Sequence, residues 1–175
     1  MQGKRRAPDG GLRRREAFLP WRAALGQIPV GTVRFEIEVT LGAPPSAVAP
    51  FLMDHDKLPR WIPEIVSSKA DDEGGPRVGA KYTQVWNFGG REQTLNGEVT
   101  QCEPPSRYAY RATVGKNVYS GRFELAEEPE GKTKLKYAEE SQVVGLAGLL
   151  LPLMKGAIRR RTAASLDRLR SLVEA

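Results

Sequence analysis

The chain contains one cysteine and one histidine among 175 residues. A single cysteine, Cys102, excludes an intramolecular disulfide. It suits a reducing compartment, so a cytoplasmic location is the expectation. Metal sites need several converging Cys, His or carboxylate ligands, and one His with one Cys does not make a usual set. No metal and no other cofactor is expected. Glycine-rich phosphate loops, zinc-finger spacings and RNP-like aromatic motifs are also missing, so no nucleic acid is expected as a partner. Long apolar runs are missing too. The greasiest stretch, Val143–Met154, is twelve residues long and contains Pro152. A spanning helix needs about 20 apolar residues.

The excess positive charge is confined to the ends. The chain carries +6. Residues 1–31 carry +5 and residues 145–175 carry +4, which leaves −3 for residues 32–144. A folded nucleic-acid groove would place its positive charge across the central surface instead. Residues 1–31, rich in Arg, Gly and Pro, read as a basic leader, either disordered or forming a short docking helix over Leu12–Leu25. No apolar run follows the basic start, as a secretory signal requires, and the absence of serine argues against a transit peptide. Residues 32–175 form a second unit, one domain large enough to bury a core without staples.

From Thr32 the pattern is regular. TVRFEIEVTL alternates Val33, Phe35, Ile37 and Val39 with polar residues, the period of a half-buried strand. GAPPSAVAPFL then reads as a short helix opened by Ser46 or the prolines, and DHDKLPRWIP as a second helical turn ended by Pro63. Six strand-like runs follow, EIVSSKADD, AKYTQVWNF, EQTLNGEVTQCE, RYAYRATV, NVYSGRFELAEE and KLKYAEESQVV. Their short Gly- and Pro-rich breaks imply antiparallel pairing. The chain is thus an α+β domain, with two short helices after strand 1 and seven antiparallel strands in all. Alternation puts Tyr82, Gln84, Trp86, Phe88, Leu95, Val99, Tyr108, Tyr110, Tyr119, Phe123, Leu125, Leu135, Tyr137 and Glu139 on one face. It puts Arg107, Arg111, Arg122, Glu124, Lys134, Lys136 and Glu140 on the other. The first face must be covered, and no second sheet remains to cover it.

The final stretch supplies the cover. Leu150, Leu153, Met154, Ala157, Ile158, Leu166, Leu169, Leu172 and Val173 fall at helical intervals, and a helix over Leu153–Glu174 would be about 33 Å long. Pro152 is tolerated in a first helical turn, or it marks a kink. The run Arg159–Arg161 reads as a solvated helix face; contact with an anionic membrane surface is the alternative.

Few residues suggest chemistry. His55 lies between Asp54 and Asp56, sequence neighbours that do not face each other on a helix, and reads as a surface or capping residue. Cys102 has no evident base beside it. Trp61 reads as core or rim near the short helices. The inward polar set, Gln84, Tyr110, Tyr119, Tyr137 and Glu139, fits the few placed polar groups of a mainly apolar pocket. Glu139 is the one weak catalytic candidate, because a carboxyl in such a place has a raised pKa.

Four stretches give this order of elements a family look. They are FEIEVTLGAPPSAVAPFLMD, DKLPRWIPEI, GEVTQCEPPSRYAYR with its Pro-Pro turn, and the final helix. Over about 32–174 the chain resembles the START-like (SRPBCC, helix-grip) superfamily, most of all its polyketide cyclase/dehydrase-type bacterial branch. The resemblance implies a curved seven-stranded antiparallel sheet wrapped around a long C-terminal helix, with a mainly apolar cavity between them. It also implies a hydrophobic or amphipathic ligand such as a lipid, quinone or polyketide-like molecule. Carried onto this chain, the expected lining is Gln84, Trp86, Phe88, Tyr110, Tyr119, Phe123, Tyr137 and Glu139, with Leu150, Met154 and Ile158 as the lid. Two alternatives use the same fold: a cyclase/dehydrase-type enzyme, and a peripheral membrane protein that collects lipid. Weak peripheral membrane contact and a homodimer stay open.

Overall fold

The computed structural model describes residues 30–175. Of the leader expected over residues 1–31, residues 1–29 lie outside the described residues, and Val30 and Gly31 belong to the first strand instead. Seven strands and three α-helices follow one another as β1 (Val30–Leu41), α1 (Pro45–Met53), α2 (Leu58–Trp61), β2 (Ile65–Ala70), β3 (Lys81–Phe88), β4 (Arg91–Glu103), β5 (Arg107–Val114), β6 (Asn117–Glu128), β7 (Lys132–Val144) and α3 (Leu146–Val173). The strands form a single sheet in the order β1-β7-β6-β5-β4-β3-β2, antiparallel at every pairing. This is the helix-grip architecture. Strand β1 starts at Val30, two residues before the regular alternation begins, because Val30 and Gly31 pair with Val144 and Val143.

Local chemistry accounts for the short elements. Pro44 and Pro45 open α1, with Pro44 at the N-cap position and no side-chain cap bond, so the prolines and not the Ser46 hydroxyl start it. Irregular pairings between Ile65 and Ser67 and between Val99 and Gln101 bend β2 and β4. The concave face collects the core: Val33, Val99, Ala112, Leu135, Leu166 and Leu169 are all sealed from solvent. The convex face carries ion pairs such as Lys134–Glu38 and Lys136–Glu36. These are exposed and contribute little to stability.

Helix α3 differs from the expectation in length and in phase. It begins at Leu146, runs 28 residues and passes through Pro152, a length of about 42 Å. Pro152 has no N–H to give the carbonyl of Gly148. That carbonyl instead packs directly on Gly31, where any Cβ would overlap it. The helix therefore starts against the first residues of β1, and it ends beside Gly42, whose N–H donates to the Glu174 carboxylate at 2.6 Å. Its buried side chains are Leu151, Ser165, Leu166 and Leu169. Leu150 and Leu153, expected to face inward, are 53% and 83% exposed. Leu151, one position along from Leu150, takes the inner place. The first turns are apolar all round, so their composition does not fix which side faces the sheet; the leucines of the last turns do. No helix among the described residues is long and apolar enough to cross a membrane.

This phase makes a direct prediction. Leu169→Ala removes a sealed side chain and should lower unfolding free energy by about 2–5 kcal/mol, whereas Leu153→Ala should stay within about 0.5 kcal/mol of the parent. Urea denaturation of both variants reads the difference, and equal losses would mean the helix is rotated.

Candidate functional site

The cavity lies between the concave face and the N-terminal half of α3. Its volume is about 420 Å³, within the range of about 300–1,000 Å³ typical of small-molecule sites. Strands β3 to β7 supply Gln84, Trp86, Phe88, Tyr108, Tyr110, Tyr119, Phe123, Tyr137 and Glu139; α3 supplies Leu151, Met154, Ile158 and Arg161. The structure thus brings ten of the eleven expected residues to one cavity. Leu150 is the exception and points to solvent, for the reason of phase given above. Met154 sits at the rim, lining the cavity while 53% exposed.

Glycine shapes the polar part of the wall. A Cβ on Gly121 would lie 2.5 Å from the Tyr110 ring. Its absence lets that ring lie flat across β6 and brings the Tyr110 and Tyr137 hydroxyls to 2.9 Å. Tyr137 donates in turn to Glu139 Oε2 at 3.1 Å, and Ser141 donates to Oε1 at 3.1 Å. Both carboxylate oxygens therefore accept from the wall. Burial still pushes the Glu139 pKa up, against the lowering effect of the Ser141 and Tyr137 hydrogen bonds and the field of Arg161. Burial raises the Tyr110 and Tyr137 phenols as well, with Glu139 adding to the shift, so both stay protonated.

Several lining residues escaped the sequence reading. Arg161 belongs to the basic run but leaves it: its guanidinium lies 5.4 Å from the Phe88 ring centre and 3.6 Å from Glu64. Its spacing from Ile158 and Ser165 was the available signal. Trp61, expected in the core or at the rim near the short helices, is buried and also lines the cavity; it donates to the Phe51 carbonyl at 2.9 Å and meets the Phe123 ring edge-on. His55 is the larger departure. It is half-buried and lines the cavity instead of capping a surface turn. Its Nδ1 lies 2.8 Å from Ser68 Oγ, and its ring packs on Tyr82 with 4.6 Å between centres. Burial lowers its pKa, so it is neutral near pH 7. The Cys102 thiol, raised by burial, lies against the Pro76 carbonyl at 3.3 Å and has no activating base there.

A family model described as polyketide cyclase / dehydrase and lipid transport matches residues 32–174. The chain belongs to this family. Solved structures give the same fold. The Zhui aromatase/cyclase from Streptomyces sp. R1128 superimposes with a TM-score of 0.67 at 18% identity, covering 82% of this chain and 94% of that one. The di-domain ARO/CYC StfQ from the steffimycin biosynthetic pathway gives 0.66 at 15%, covering 82% of this chain and 51% of its own. A protein of Chromobacterium violaceum gives 0.62 at 21%, covering 81% and 97%. At such identities the likeness is one of fold. No curated protein sequence matches.

The Glu139 network predicts a pH dependence. In the unfolded chain its carboxyl titrates near the ordinary value of 4.5, and in the folded protein above it. The folded state thus binds the proton more tightly. This group's contribution to stability is full below pH 4.5 and is lost as pH rises through the folded value. Glu139→Gln should remove the loss, so the melting-temperature advantage of the variant should grow from about pH 4.5 upward and then level off. A difference that is flat with pH would place the carboxyl in water.

Proposed function

We propose that this protein binds an apolar or amphipathic small molecule, of lipid, quinone or polyketide-like character, between its sheet and the N-terminal half of α3. The observation that carries the reading is the cavity of about 420 Å³ with aromatic walls and a hydrogen-bonded carboxyl network. A domain selected only for stability would close such a space, because each unfilled methylene forfeits contacts and lowers stability. Binding would be driven by burial of apolar ligand surface, at about 25 cal/mol per Å² before ordering losses.

The buried carboxyl favours one further reading, a cyclase/dehydrase-type enzyme on the same cavity. Glu139, its pKa raised by burial, holds a proton more readily than an exposed carboxylate and is placed to exchange one with a ligand. In that reading Glu139→Gln keeps binding and loses product, whereas in the binding reading no product forms with either protein.

The test of occupancy uses Ala112, which is sealed and lines the cavity. Ala112→Phe should fill the space. Binding of 6-acetyl-2-naphthol, followed by its environment-sensitive fluorescence, should weaken at least about tenfold while the fold and melting temperature are kept. Equal affinity in the variant would move binding to another surface.

A further inference from the structure

A second polar cluster faces the same cavity from the opposite side of the grip. Glu139 stands on β7, whereas Gln84 stands on β3 and Ser68 on β2, at the far end of the strand order. This cluster has a fixed direction. Trp86 Nε1 can only donate, and it donates to Gln84 Oε1 at 2.8 Å. That fixes the Gln84 amide, so its NH₂ faces Ser68 and donates to Oγ at 3.0 Å. Ser68 Oγ accepts this bond and has one proton of its own. Its other partner among the described residues is His55 Nδ1, at 2.8 Å. The hydroxyl proton is satisfied when it points to Nδ1, and a neutral imidazole that accepts there carries its own proton on Nε2.

The other ring nitrogen has no such partner. Among the described residues Nε2 of His55 makes no hydrogen bond, and none of their buried side-chain polar atoms is left without one. Nε2 is therefore accessible and unpaired, on a ring that lines the cavity. Stacking on Tyr82 holds the plane of the ring.

We infer that the relay Trp86–Gln84–Ser68–His55 makes Nε2–H of His55 a dedicated hydrogen-bond donor in the cavity, reading a neutral carbonyl oxygen on the ligand. The inference rests on the ligand-binding reading above and deepens it. A carbonyl suits the site better than a carboxylate, because Asp54, Asp56 and Asp71 all act on the ring with negative fields. The Glu139 carboxylate, with lone pairs to spare after accepting from Tyr137 and Ser141, suits a ligand hydroxyl on the opposite side. The ligand class is thus an apolar skeleton with a carbonyl at one end and a hydroxyl at the other.

His55 is the only histidine in the chain, so two experiments isolate it. With ¹⁵N-labelled histidine, the ring gives one pair of nitrogen resonances. The expected spectrum at pH 7 has a bare Nδ1 and a protonated Nε2; a protonated Nδ1 with a bare Nε2 overturns the inference with no ligand needed. The second experiment measures affinities for naphthalene, 2-naphthol, 2-acetylnaphthalene, 6-acetyl-2-naphthol and 6-hydroxy-2-naphthoate. His55→Phe keeps the stacking plane and should weaken the two acetyl probes about five- to tenfold while leaving naphthalene and 2-naphthol unchanged. The naphthoate should bind the parent more weakly than the acetyl naphthol. Ser68→Ala, which keeps the imidazole but frees its tautomer, should show the same selectivity in smaller measure. Equal weakening of all probes would make His55 packing only, and no change would remove it from the site; either overturns the inference and leaves cavity binding standing. Failure of the parent to bind any probe overturns the binding reading, and this inference with it.

Discussion

The contact of the last turns of α3 with the concave face of the sheet governs the rest of the molecule. An antiparallel sheet with one apolar face must be covered, and here one helix covers it. Leu166 and Leu169 are sealed against the strands, whereas most of the first turns of α3 stand clear, with Leu146, Leu149 and Leu153 in solvent. The helix is held at its start by Gly148 against Gly31 and at its end by Leu166 and Leu169, and it roofs a space between them. The pairing of β1 with β7 and the approach of Gly148 to Gly31 fix where the roof begins. The cavity is the consequence of a cover that is tight at its two ends and stands off the sheet between them.

The polar groups in this space follow from the same constraint. A buried hydroxyl or amide without a partner lowers stability by about 1–3 kcal/mol, so groups placed under the roof are bonded to one another. Tyr110, Tyr137, Ser141 and Glu139 form one set, and His55, Ser68, Gln84 and Trp86 form the other. In each set, donor-only or acceptor-only members give the chain of bonds a direction. In the proposed binding, a wall built this way would meet a ligand's polar atoms already ordered, which reduces the ordering losses.

The strands were legible because their alternation is clean and their breaks carry glycine or proline; RYAYRATV and NVYSGRFELAEE fall on β5 and β6 residue for residue. The inward face of the sheet could be read for the same reason, and with it most of the cavity wall. The phase of the first turns of α3 could not be read, since Leu149, Leu150, Leu151 and Leu153 look alike until the packing of Leu166 and Leu169 is known. Arg161 was hidden in a run of three arginines, of which it alone turns toward Phe88 and Glu64. His55 was illegible for a different reason. Its partners Ser68 and Tyr82 lie 13 and 27 positions away, and only the folded sheet brings them beside the end of α1. Family membership follows from the fold signatures over 32–174, but it does not identify which polar groups face the ligand.

The proposed binding requires that the space under α3 be occupied in the working protein. Native mass spectrometry of gently purified protein, followed by denaturing extraction, tests it most directly. The expected result is a stoichiometric small molecule, largely apolar and released on unfolding. A bare chain that also gains no thermal stability from any member of a hydrophobic ligand panel would contradict it, leaving the cavity a packing defect and the function on the outer surface.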